Sequence, residues 1–470
     1  MADAEVTNVA GLKAAHDQSA AGDTITLRAG TYYMRRGEPG AYWYLTHSGN
    51  NGSPVTYQAA TGENVYLDFS DVIAGASWDQ DGDVYSADVS GLSVGDSSDM
   101  GAFAGGWMCS HATALSQLTS PAAELYSGDS LTFDLTFYDS TAKRLYFRSN
   151  DVSAVAPGDL RIVSTYSKLY LDASYITLSG LRFRYGDLMI HCSSVSAKAG
   201  IKVQDCDIRH CRSGILSSSP FVGTEVENCY IDQCGYPMHF TTAWTRNNAG
   251  HGIYTYGPSA HIHNNVICRA IGAGIHAWPD VSGGMFERNV LLNISNQAAL
   301  YQGTGGVFKD NIAVGFRPRW RGEEIAAYST GNPVVGIIPF YTNSGMVIEH
   351  NYMENVYGCG IFWSPASTSA LRLTNNILRG ITEAACLVDA NVPTDGYTKF
   401  GNVLSPITNP PSGEHTLSTV AGREALLDAV TDYENPVPRI RQLARDYVAP
   451  WQPWPLPQSK RRIVALMMEF

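Results

Sequence analysis

Between about residues 175 and 403, one short pattern of apolar and polar positions returns again and again. Each copy has an apolar alternation, a small polar pivot residue, and a second apolar alternation. Alternation with a period of two predicts β-strands with one buried face. The copies read ITLSGLRFR, VQDCDIRHC, VENCYIDQC, IHNNVICRA, FERNVLLNI, FKDNIAVGF, IEHNYMENV, LTNNILRGI and, more weakly, KFGNVLSPI.

The spacing of the pivots predicts the architecture. Most gaps between successive pivots are 22 to 26 residues, and two gaps of 36 and 40 residues indicate insertions. A repeat of this length, with glycine-rich corners and no helical stretch, predicts an all-β parallel β-helix. Asparagine suits the pivot, because its side chain bonds backbone groups at tight corners and stacked copies can bond one another as a ladder. The pivots are Gly180, Cys206, Cys229, Asn265, Asn289, Asn311, Asn351, Asn376 and Asn402.

The rest of the chain divides around this array. Residues 1–22 predict a cap of one strand and one short helix, which a solenoid needs over its first coil. Residues 23–403 form the predicted β-helix, interrupted at 71–150 by a small antiparallel β insertion, and the repeat resumes at Asp159. Residues 404–470 read as a proline-rich linker, short helices and an apolar tail that caps the last coil or docks on a partner subunit.

The composition and net charge of the chain limit the classes of binding partner. The net charge is -12, which argues against nucleic acid, and no apolar run is long enough to span a membrane. The first residues have no signal-peptide core, so either a leader has been removed or the protein reaches its place without one. We expect an extracellular or cell-surface location, with a virion as the alternative.

Two smaller features have competing interpretations. Asp79, Asp81 and Asp83 alternate as in a calcium loop, but the later EF-hand positions are wrong and a hairpin turn explains them better. Cys206 with Cys229, and Cys211 with Cys234, fall at equal positions in consecutive coils. They are either stacked core thiols, which we favour, or two disulfides.

A second register of strands predicts an exposed aromatic stripe. It reads GILSS, GIYTY, GIHAW, ALYQG and GIFWS. Alternation points Ile215, Ile253, Ile275, Leu300 and Ile361 inward. It points Leu216, Tyr254, His276, Tyr301 and Phe362 outward, followed by Tyr256 and Trp278. Such a stripe is a platform for sugar rings, a subunit contact, or a surface under a loop.

Two insertions adjoin the stripe and bring cationic and aromatic side chains. Residues 236–251 carry Trp244 and Arg246. Residues 317–336 carry a run of arginines around one tryptophan: Arg317, Arg319, Trp320 and Arg321. In an extended segment the three arginines share one side, which suits carboxylate or sulfate groups. Alternatively, this loop is solvated and pairs with its own Glu323 and Glu324.

The chain resembles the right-handed parallel β-helix proteins of the pectate-lyase-like superfamily. GDTITLRAGTYY and SGNNGSPVTYQAATGENVYLD are similar to the first coils of polysaccharide lyases of the chondroitinase B and alginate lyase kind. FYDSTAKRLYFRS, SYITLSGLRFR and GHGIYTYG are similar to stretches of carbohydrate-active β-helix proteins. The superfamily includes lyases, hydrolases, epimerases and phage tailspikes, so the resemblance implies a polysaccharide partner but transfers no catalytic residue.

Two chemistries follow from the candidate residues. In β-elimination a cation such as Arg319 or Arg321 neutralises a uronate and a base removes a proton, and His239, His251, Tyr254 and His276 are candidate bases. Hydrolysis needs two carboxylates, for which Glu323, Glu324, Asp280 and Asp310 are candidates. Calcium is a possible cofactor, although the Asn-Glu-Glu cluster of alginate lyases cannot be assigned. We expect a polysaccharide-binding protein that cleaves by elimination. The alternative is a non-catalytic virion protein that assembles as a trimer or larger oligomer.

Overall fold

A computed structural model of the protein describes most of the chain before residue 389 and two short strands after it. The described residues are 3–34, 43–74, 77–92, 101–104, 107–112, 114–119, 135–149, 160–163, 167–218, 220–235, 250–270, 272–292, 294, 297–314, 335–339, 343–354, 359–363, 368–369, 371–374, 376–379, 384–388, 397–400 and 403–405.

The described strands form a parallel β-helix, as predicted, with three faces that we name A, B and C in the order in which each coil visits them. Face A is a sheet of twelve parallel strands. They are Ala4–Val6, Thr24–Leu27, Val55–Ala59, Ile176–Ser179, Lys202–Gln204, Glu225–Glu227, His261–His263, Met285–Glu287, Val307–Lys309, Val347–Glu349, Leu371–Thr374 and Tyr397–Phe400.

Faces B and C are joined into one sheet by two long strands, Arg182–Cys192 and Asp207–Ser217, that run across the corner between them. The other strands of face B are Gly30–Tyr33, Val65–Asp68, Tyr230–Cys234, Val266–Ala270, Val290–Leu292, Ile312–Val314, Tyr352–Glu354, Ile377–Arg379 and Val403–Ser405. The other strands of face C are Trp43–Leu45, Leu169–Leu171, Ile253–Thr255, Ala273–Ala277, Gln297–Tyr301, Val335–Pro339, Cys359–Trp363 and Ala384–Val388.

Two pairs of short strands lie between face C and the next face A. Lys198–Ala199 pairs with Phe221–Val222, and Asn343–Ser344 pairs with Thr368–Ser369.

The first coil is capped by the helix Val9–Asp17. Asn8 begins it, because its side-chain oxygen accepts a hydrogen bond from the Gly11 N–H at 2.8 Å. Leu12 and His16 are the buried residues of this helix, and His16 Nδ1 lies 2.7 Å from the Tyr57 hydroxyl in the second coil. The helix therefore covers apolar surface that the open end of the solenoid would expose.

The insertion after the second coil consists of two small sheets, largely antiparallel, and one short helix, Ser116–Thr119. The sheets contain Asp71–Ile73, Gly101–Ala104, Trp107–Met108 and Leu160–Val163, and Asp79–Asp81, Val84–Asp88, Ser110–His111, Leu135–Asp139 and Arg144–Arg148. Because Leu160–Val163 pairs within the insertion, the coils resume at Leu169, later than the predicted Asp159.

The alternating aspartates of the insertion form a hairpin, as favoured from the sequence. Asp81 pairs with Val84 across a turn in which Gly82 has a φ of 60°. Arg144 bonds Asp79 at 2.6 Å, and Arg148 lies 3.4 Å from Asp83. Two of the three carboxylates are thus arginine partners rather than calcium ligands.

The predicted asparagine ladder is present at the corner between faces A and B. In each step, the side-chain Nδ2 of one asparagine donates to the Oδ1 of the next at 2.9 to 3.0 Å. The ladder residues are Asn265, Asn289, Asn311, Asn351 and Asn376, all buried. Each Nδ2 also donates to a face A carbonyl, so the ladder fixes each coil on the next.

One detail of the predicted array is wrong, namely the pivot of its first coil. In the asparagine coils the residue before the asparagine has a left-handed backbone, for example Asn264 with a φ of 57°. Gly180, with a φ of 67°, occupies that preceding place and aligns with Asp205, so Leu181 is the pivot of its coil.

The cysteines at these positions are buried, free thiols. Cys206 and Cys229 occupy the pivot position, where each Sγ lies 3.6 to 3.7 Å from the carbonyl oxygen that an asparagine would bond. Cys211 and Cys234 stack with their Sγ atoms 3.5 Å apart. The structure therefore has stacked core thiols in place of disulfides.

No helix in the described part of the chain has the length and hydropathy needed to cross a bilayer.

Candidate functional site

Face C presents the aromatic stripe that the sequence predicted, and the stripe is longer than expected. Strand pairing places its outward side chains in one column: Tyr44, Tyr170, His191, Leu216, Tyr254 and His276. Adjacent ring centroids are 4.7 Å apart for Tyr44 and Tyr170, and 4.5 Å apart for Tyr254 and His276. Every side chain in the column keeps solvent exposure, and Tyr44 is 43% exposed.

The first three members of this column were not predicted from the sequence. Tyr44, Tyr170 and His191 lie in WYL, LYL and IHC segments, which do not contain the Gly-Ile pair that marked the later strands. The available signal was the alternation itself, because each polar ring stands between two buried residues, such as Leu169 and Leu171 around Tyr170.

Tyr301, which we predicted to face outward, is fully buried. The strand pairing aligns Ala299 with Ile275 and Leu300 with His276, so the predicted register is wrong by one residue. Tyr301 consequently points into the core, where its hydroxyl donates to the Val281 carbonyl at 2.9 Å. It is excluded as a substrate-binding residue.

Tyr256 and Trp278 follow the ends of their strands and remain partly exposed. The Trp278 ring lies 6.2 Å from His276 by centroids, so it continues the aromatic surface sideways from the column. Both residues are placed where the sequence put them, next to Tyr254 and His276.

His251 and His276 form a hydrogen-bonded pair at the downstream end of the described column. His276 Nδ1 lies 3.2 Å from His251 Nε2, and the rings are 4.5 Å apart at 81°. The Ala273 backbone N–H donates to His251 Nδ1 at 2.9 Å. His251 therefore carries its proton on Nε2 and donates it to His276 Nδ1. The remaining proton of a neutral His276 is on Nε2.

Burial keeps this group of side chains uncharged at neutral pH. It lowers the pKa of His251 to about 4. Burial, and secondly the neighbouring His251, lower the pKa of His276 well below its usual value. Burial also raises the pKa of Tyr254 to about 12, with Tyr256 as a smaller cause. The site thus offers hydrogen-bond donors and rings rather than fixed charges.

A stack of glycines allows His251 to reach its partner. Gly214, Gly252 and Gly274 are neighbours on successive coils. A Cβ on Gly252 would lie 2.7 Å from the Gly274 oxygen and 2.5 Å from Ile267 Cγ2. The Gly-Ile pair in these strands is therefore a packing requirement that brings the coils together beside His251.

Charged groups that were not predicted from the sequence adjoin the upstream half of the column. Asp187 is buried and pairs with Arg212 at 2.7 Å. Lys168 lies nearby, and burial lowers its pKa, partly opposed by Asp187. Burial, followed by the charges of Lys168 and Arg212, lowers the pKa of His191 to about 4. These groups are distant in sequence and become neighbours only through the stacking of coils.

The described part of face C does not fit the calcium cluster of alginate lyases. Its buried carboxylate, Asp187, is already held by Arg212 through two nitrogens at 2.7 and 2.8 Å. Asp280 lies after the strand, exposed, and accepts a bond from Ser282 Oγ at 2.8 Å. The two carboxylates described at this face are therefore partners of Arg212 and Ser282.

Of the carboxylates predicted for hydrolysis, two lie within the described residues, and the structure places them far apart. Asp280 lies at the corner after face C, whereas Asp310 lies between faces A and B, 3.9 Å from His350. They cannot act together on one bond.

Several predicted site residues lie outside the described residues. They are His239, Trp244, Arg246, Arg317, Arg319, Trp320, Arg321, Glu323 and Glu324, and the side chain of Phe362 is not described either. In the order of the chain, both loop insertions lie between a face B strand and a face C strand.

Comparison with known proteins shows similarity in structure. No family model matches the sequence, and no curated protein matches it significantly. A glycoside hydrolase aligns with a TM-score of 0.58 at 11% identity, over 86% of this chain and 97% of that chain. The complex of XylC with xylose aligns with a TM-score of 0.51 at 13% identity, over 80% of this chain and 75% of that chain. What the chains share is the fold.

An alginate lyase from Paenibacillus sp. str. FPU-7 aligns less closely, with a TM-score of 0.47 at 11% identity, over 82% of this chain and 99% of that chain. The parallel β-helix fold that the resemblance implied is confirmed. The reaction is a separate question, because one fold carries many activities.

Proposed function

We propose that the protein binds a polysaccharide along face C and cleaves it by β-elimination. The observation that carries this proposal is the column of solvent-facing side chains from Tyr44 to His276, held in register by strand pairing, in which every member except Leu216 is a ring. Rings one strand spacing apart, roughly 4.8 Å, offer successive stacking surfaces to an extended chain of sugars. The glycoside hydrolase and the XylC–xylose complex that share the fold support a carbohydrate ligand.

Among the described side chains around the column, a neutral donor for elimination is present and a pair of carboxylates for hydrolysis is not, and we favour elimination on this basis. Hydrolysis requires two carboxylates, one of them protonated near neutral pH. Among the described residues of face C, Asp187 is held by Arg212 and Asp280 is exposed at the far corner. Elimination instead requires a donor for the departing oxygen, a base, and a cation beside the uronate.

The direction of the histidine hydrogen bond assigns a role to His276. Its Nδ1 accepts from His251, so its Nε2–H is the proton available to a ligand. We therefore propose that the neutral His276 donates a hydrogen bond from Nε2–H to the departing glycosidic oxygen, which it stabilises without giving up the proton, and that His251 is a positioning residue. This departs from the base that the sequence suggested.

The base that removes the substrate proton must then be one of the other candidates predicted from the sequence, His239, His251 or Tyr254. His251 has no free lone pair in this arrangement, and the Tyr254 hydroxyl, with a pKa raised to about 12, is protonated at neutral pH. His239 thus becomes the first candidate base, and Arg319 and Arg321 the first candidate cations; all three lie outside the described residues.

The test is a panel of uronate-containing and neutral polysaccharides, with absorbance at about 235 nm and reducing ends measured together. New ends with absorbance indicate an unsaturated product and support elimination. New ends without absorbance refute elimination, and no turnover or binding on a broad panel refutes the proposal and leaves the non-catalytic alternative.

Variants locate the activity on face C. Tyr170→Ala is expected to weaken glycan binding about tenfold, or ~1.4 kcal/mol, because it removes one ring of the column. Tyr230→Ala removes a partly exposed tyrosine from face B and serves as the matched control. His276→Gln is expected to lower kcat more than it raises KM. Equal effects of the two tyrosine variants would contradict the placement.

A further inference from the structure

Face A carries a cluster of histidine and glutamate side chains that the proposed function does not use. His261 and His263 flank the buried Ile262 in one strand, so both imidazoles leave the same side of the sheet. Glu225, in the preceding coil, pairs directly with His261. Two imidazoles and one carboxylate are thus brought together from positions far apart in the sequence.

The three side chains are spaced as metal ligands are. One ligand atom from each lies within 4.8 Å of the other two. His263 Nε2 is 3.3 Å from Glu225 Oε1. In a tetrahedral zinc site with bonds of about 2.0 to 2.2 Å, ligand atoms are roughly 3.3 to 3.5 Å apart, so this pair already has the required separation. Among the described residues, this is the group of three that meets the spacing.

We propose that Glu225, His261 and His263 bind a divalent first-row transition metal ion, for which zinc is the natural probe. Imidazole nitrogens select zinc, cobalt or nickel over magnesium and calcium, which prefer oxygen ligands. Three protein ligands leave a fourth position for water or another ligand.

Neighbouring groups hold both imidazoles in place. His261 Nε2 lies 3.2 Å from Glu287 Oε1, and Glu287 is itself bonded by Lys309 at 3.1 Å. If His261 donates its Nε2 proton to Glu287, its Nδ1 keeps a lone pair, as in the carboxylate–histidine–metal arrangement. His263 Nδ1 lies 3.0 Å from the Asn264 side-chain amide, which by rotating can present either its NH₂ or its oxygen.

Lys202 is the rival cation for this site. Its Nζ lies 3.3 Å from Glu225 Oε1 and 2.8 Å from Glu227 Oε1. When a metal ion takes Glu225, the ammonium group keeps its shorter contact with Glu227. Removing the ammonium group of Lys202 should therefore strengthen metal binding. This substitution tests the proposal through an increase in metal affinity, whereas the substitutions of the ligands test it through a decrease.

The experiment is zinc titration of the full chain by calorimetry after chelator treatment, with Co²⁺ absorption as the second readout. The wild type is expected to take up one equivalent that the double variant His261→Gln/His263→Gln does not. Glu225→Gln should weaken binding by about 10- to 100-fold, by analogy with the loss of groups that support a metal site. No zinc uptake by the wild type, or unchanged uptake by the double variant, overturns the proposal.

Three further variants make the result specific. Lys202→Met should bind zinc more tightly than the wild type, and unchanged or weaker binding contradicts the site even where another variant fails to fold. His350→Gln removes a partly exposed histidine beside Asp310 and should bind as the wild type does. His276→Gln on face C should also keep zinc binding, so failure of the polysaccharide proposal leaves this one standing.

Discussion

The asparagine ladder makes the sharpest stability prediction, for the substitution Asn289→Ala. The Asn289 side chain is fully buried in the middle of the ladder. Its Nδ2 donates to the Ile262 carbonyl at 2.9 Å and to Asn311 Oδ1 at 3.0 Å. Its Oδ1 accepts from the backbone N–H of Asn265 at 3.1 Å and from Asn265 Nδ2 at 3.0 Å. Alanine removes all four hydrogen bonds.

The size of the stability loss depends on which hydrogen-bond partners of Asn289 keep another hydrogen bond in the variant. Asn265 Nδ2 keeps the Val226 carbonyl at 2.9 Å, and Asn311 Oδ1 keeps the Asn289 backbone N–H at 2.9 Å. The Asn265 N–H loses the side-chain acceptor that it has in this structure. Four bonds at about 1 kcal/mol each, with one buried donor left unsatisfied, predict a loss of about 3 to 5 kcal/mol in the free energy of unfolding.

The measurement is urea unfolding followed by far-UV circular dichroism, with the slope compared between variants. Asn64→Ala, at an exposed asparagine, is the control and should change the free energy of unfolding by less than about 0.5 kcal/mol. Asn289→Cys should fall between the two, because Cys206 and Cys229 occupy this position naturally with weak S–H donors. A loss below about 1 kcal/mol for Asn289→Ala, at unchanged slope, would refute the reasoning.

Two other substitutions test the cap and the glycine stack. Burial lowers the pKa of His16 from 6.5 to about 4. Between these two pH values the unfolded chain binds a proton that the folded chain does not. The free energy of unfolding is therefore highest above about pH 6.5 and falls by about 3 kcal/mol as the pH drops to 4. His16→Gln should reduce the difference in unfolding free energy between pH 7.5 and 4.5 by roughly 2 to 3 kcal/mol, and an undiminished difference would contradict this. Gly252→Ala should cost about 2 kcal/mol or more in the same urea assay, because its Cβ meets the Gly274 oxygen at 2.7 Å, whereas Gly91→Ala has open space and should be nearly neutral. Equal effects of the two glycine variants would show that the coils can move apart at little cost.

The fold was predictable because the same pattern of strands and corner residues recurs in coil after coil. In most of the described coils from Leu169 onward, the corner residue bonds backbone groups of the neighbouring coil, and asparagine or cysteine recurs there, although Leu181 holds this place in one coil. Register within a strand is less well determined. In Ala299, Leu300 and Tyr301 all three side chains are apolar or amphipathic, so alternation fits two registers, and only pairing with the neighbouring coil decides between them.

The candidate site was less predictable, because it depends on contacts between coils. His251 and His276 were both candidates from the sequence, but nothing in the sequence showed that Ala273 would fix the proton positions of the pair. The approach of Glu225 to His261 depends on an insertion between their coils whose length does not disturb the register. Such contacts follow from stacking once the coils are aligned, and not from local spacing.

The glycine stack links the fold of face C to its proposed chemistry. Because Gly252 has no Cβ, the chain just before the strand Ile253–Thr255 lies against Gly274, and His251 can receive the Ala273 N–H at 2.9 Å. That bond forces the His251 proton onto Nε2, toward His276, and so makes His276 Nε2 a donor. A base for elimination must then come from a different element. His239 lies in the insertion that leads into Gly252 and the strand Ile253–Thr255, and it is the sequence candidate that remains for the base.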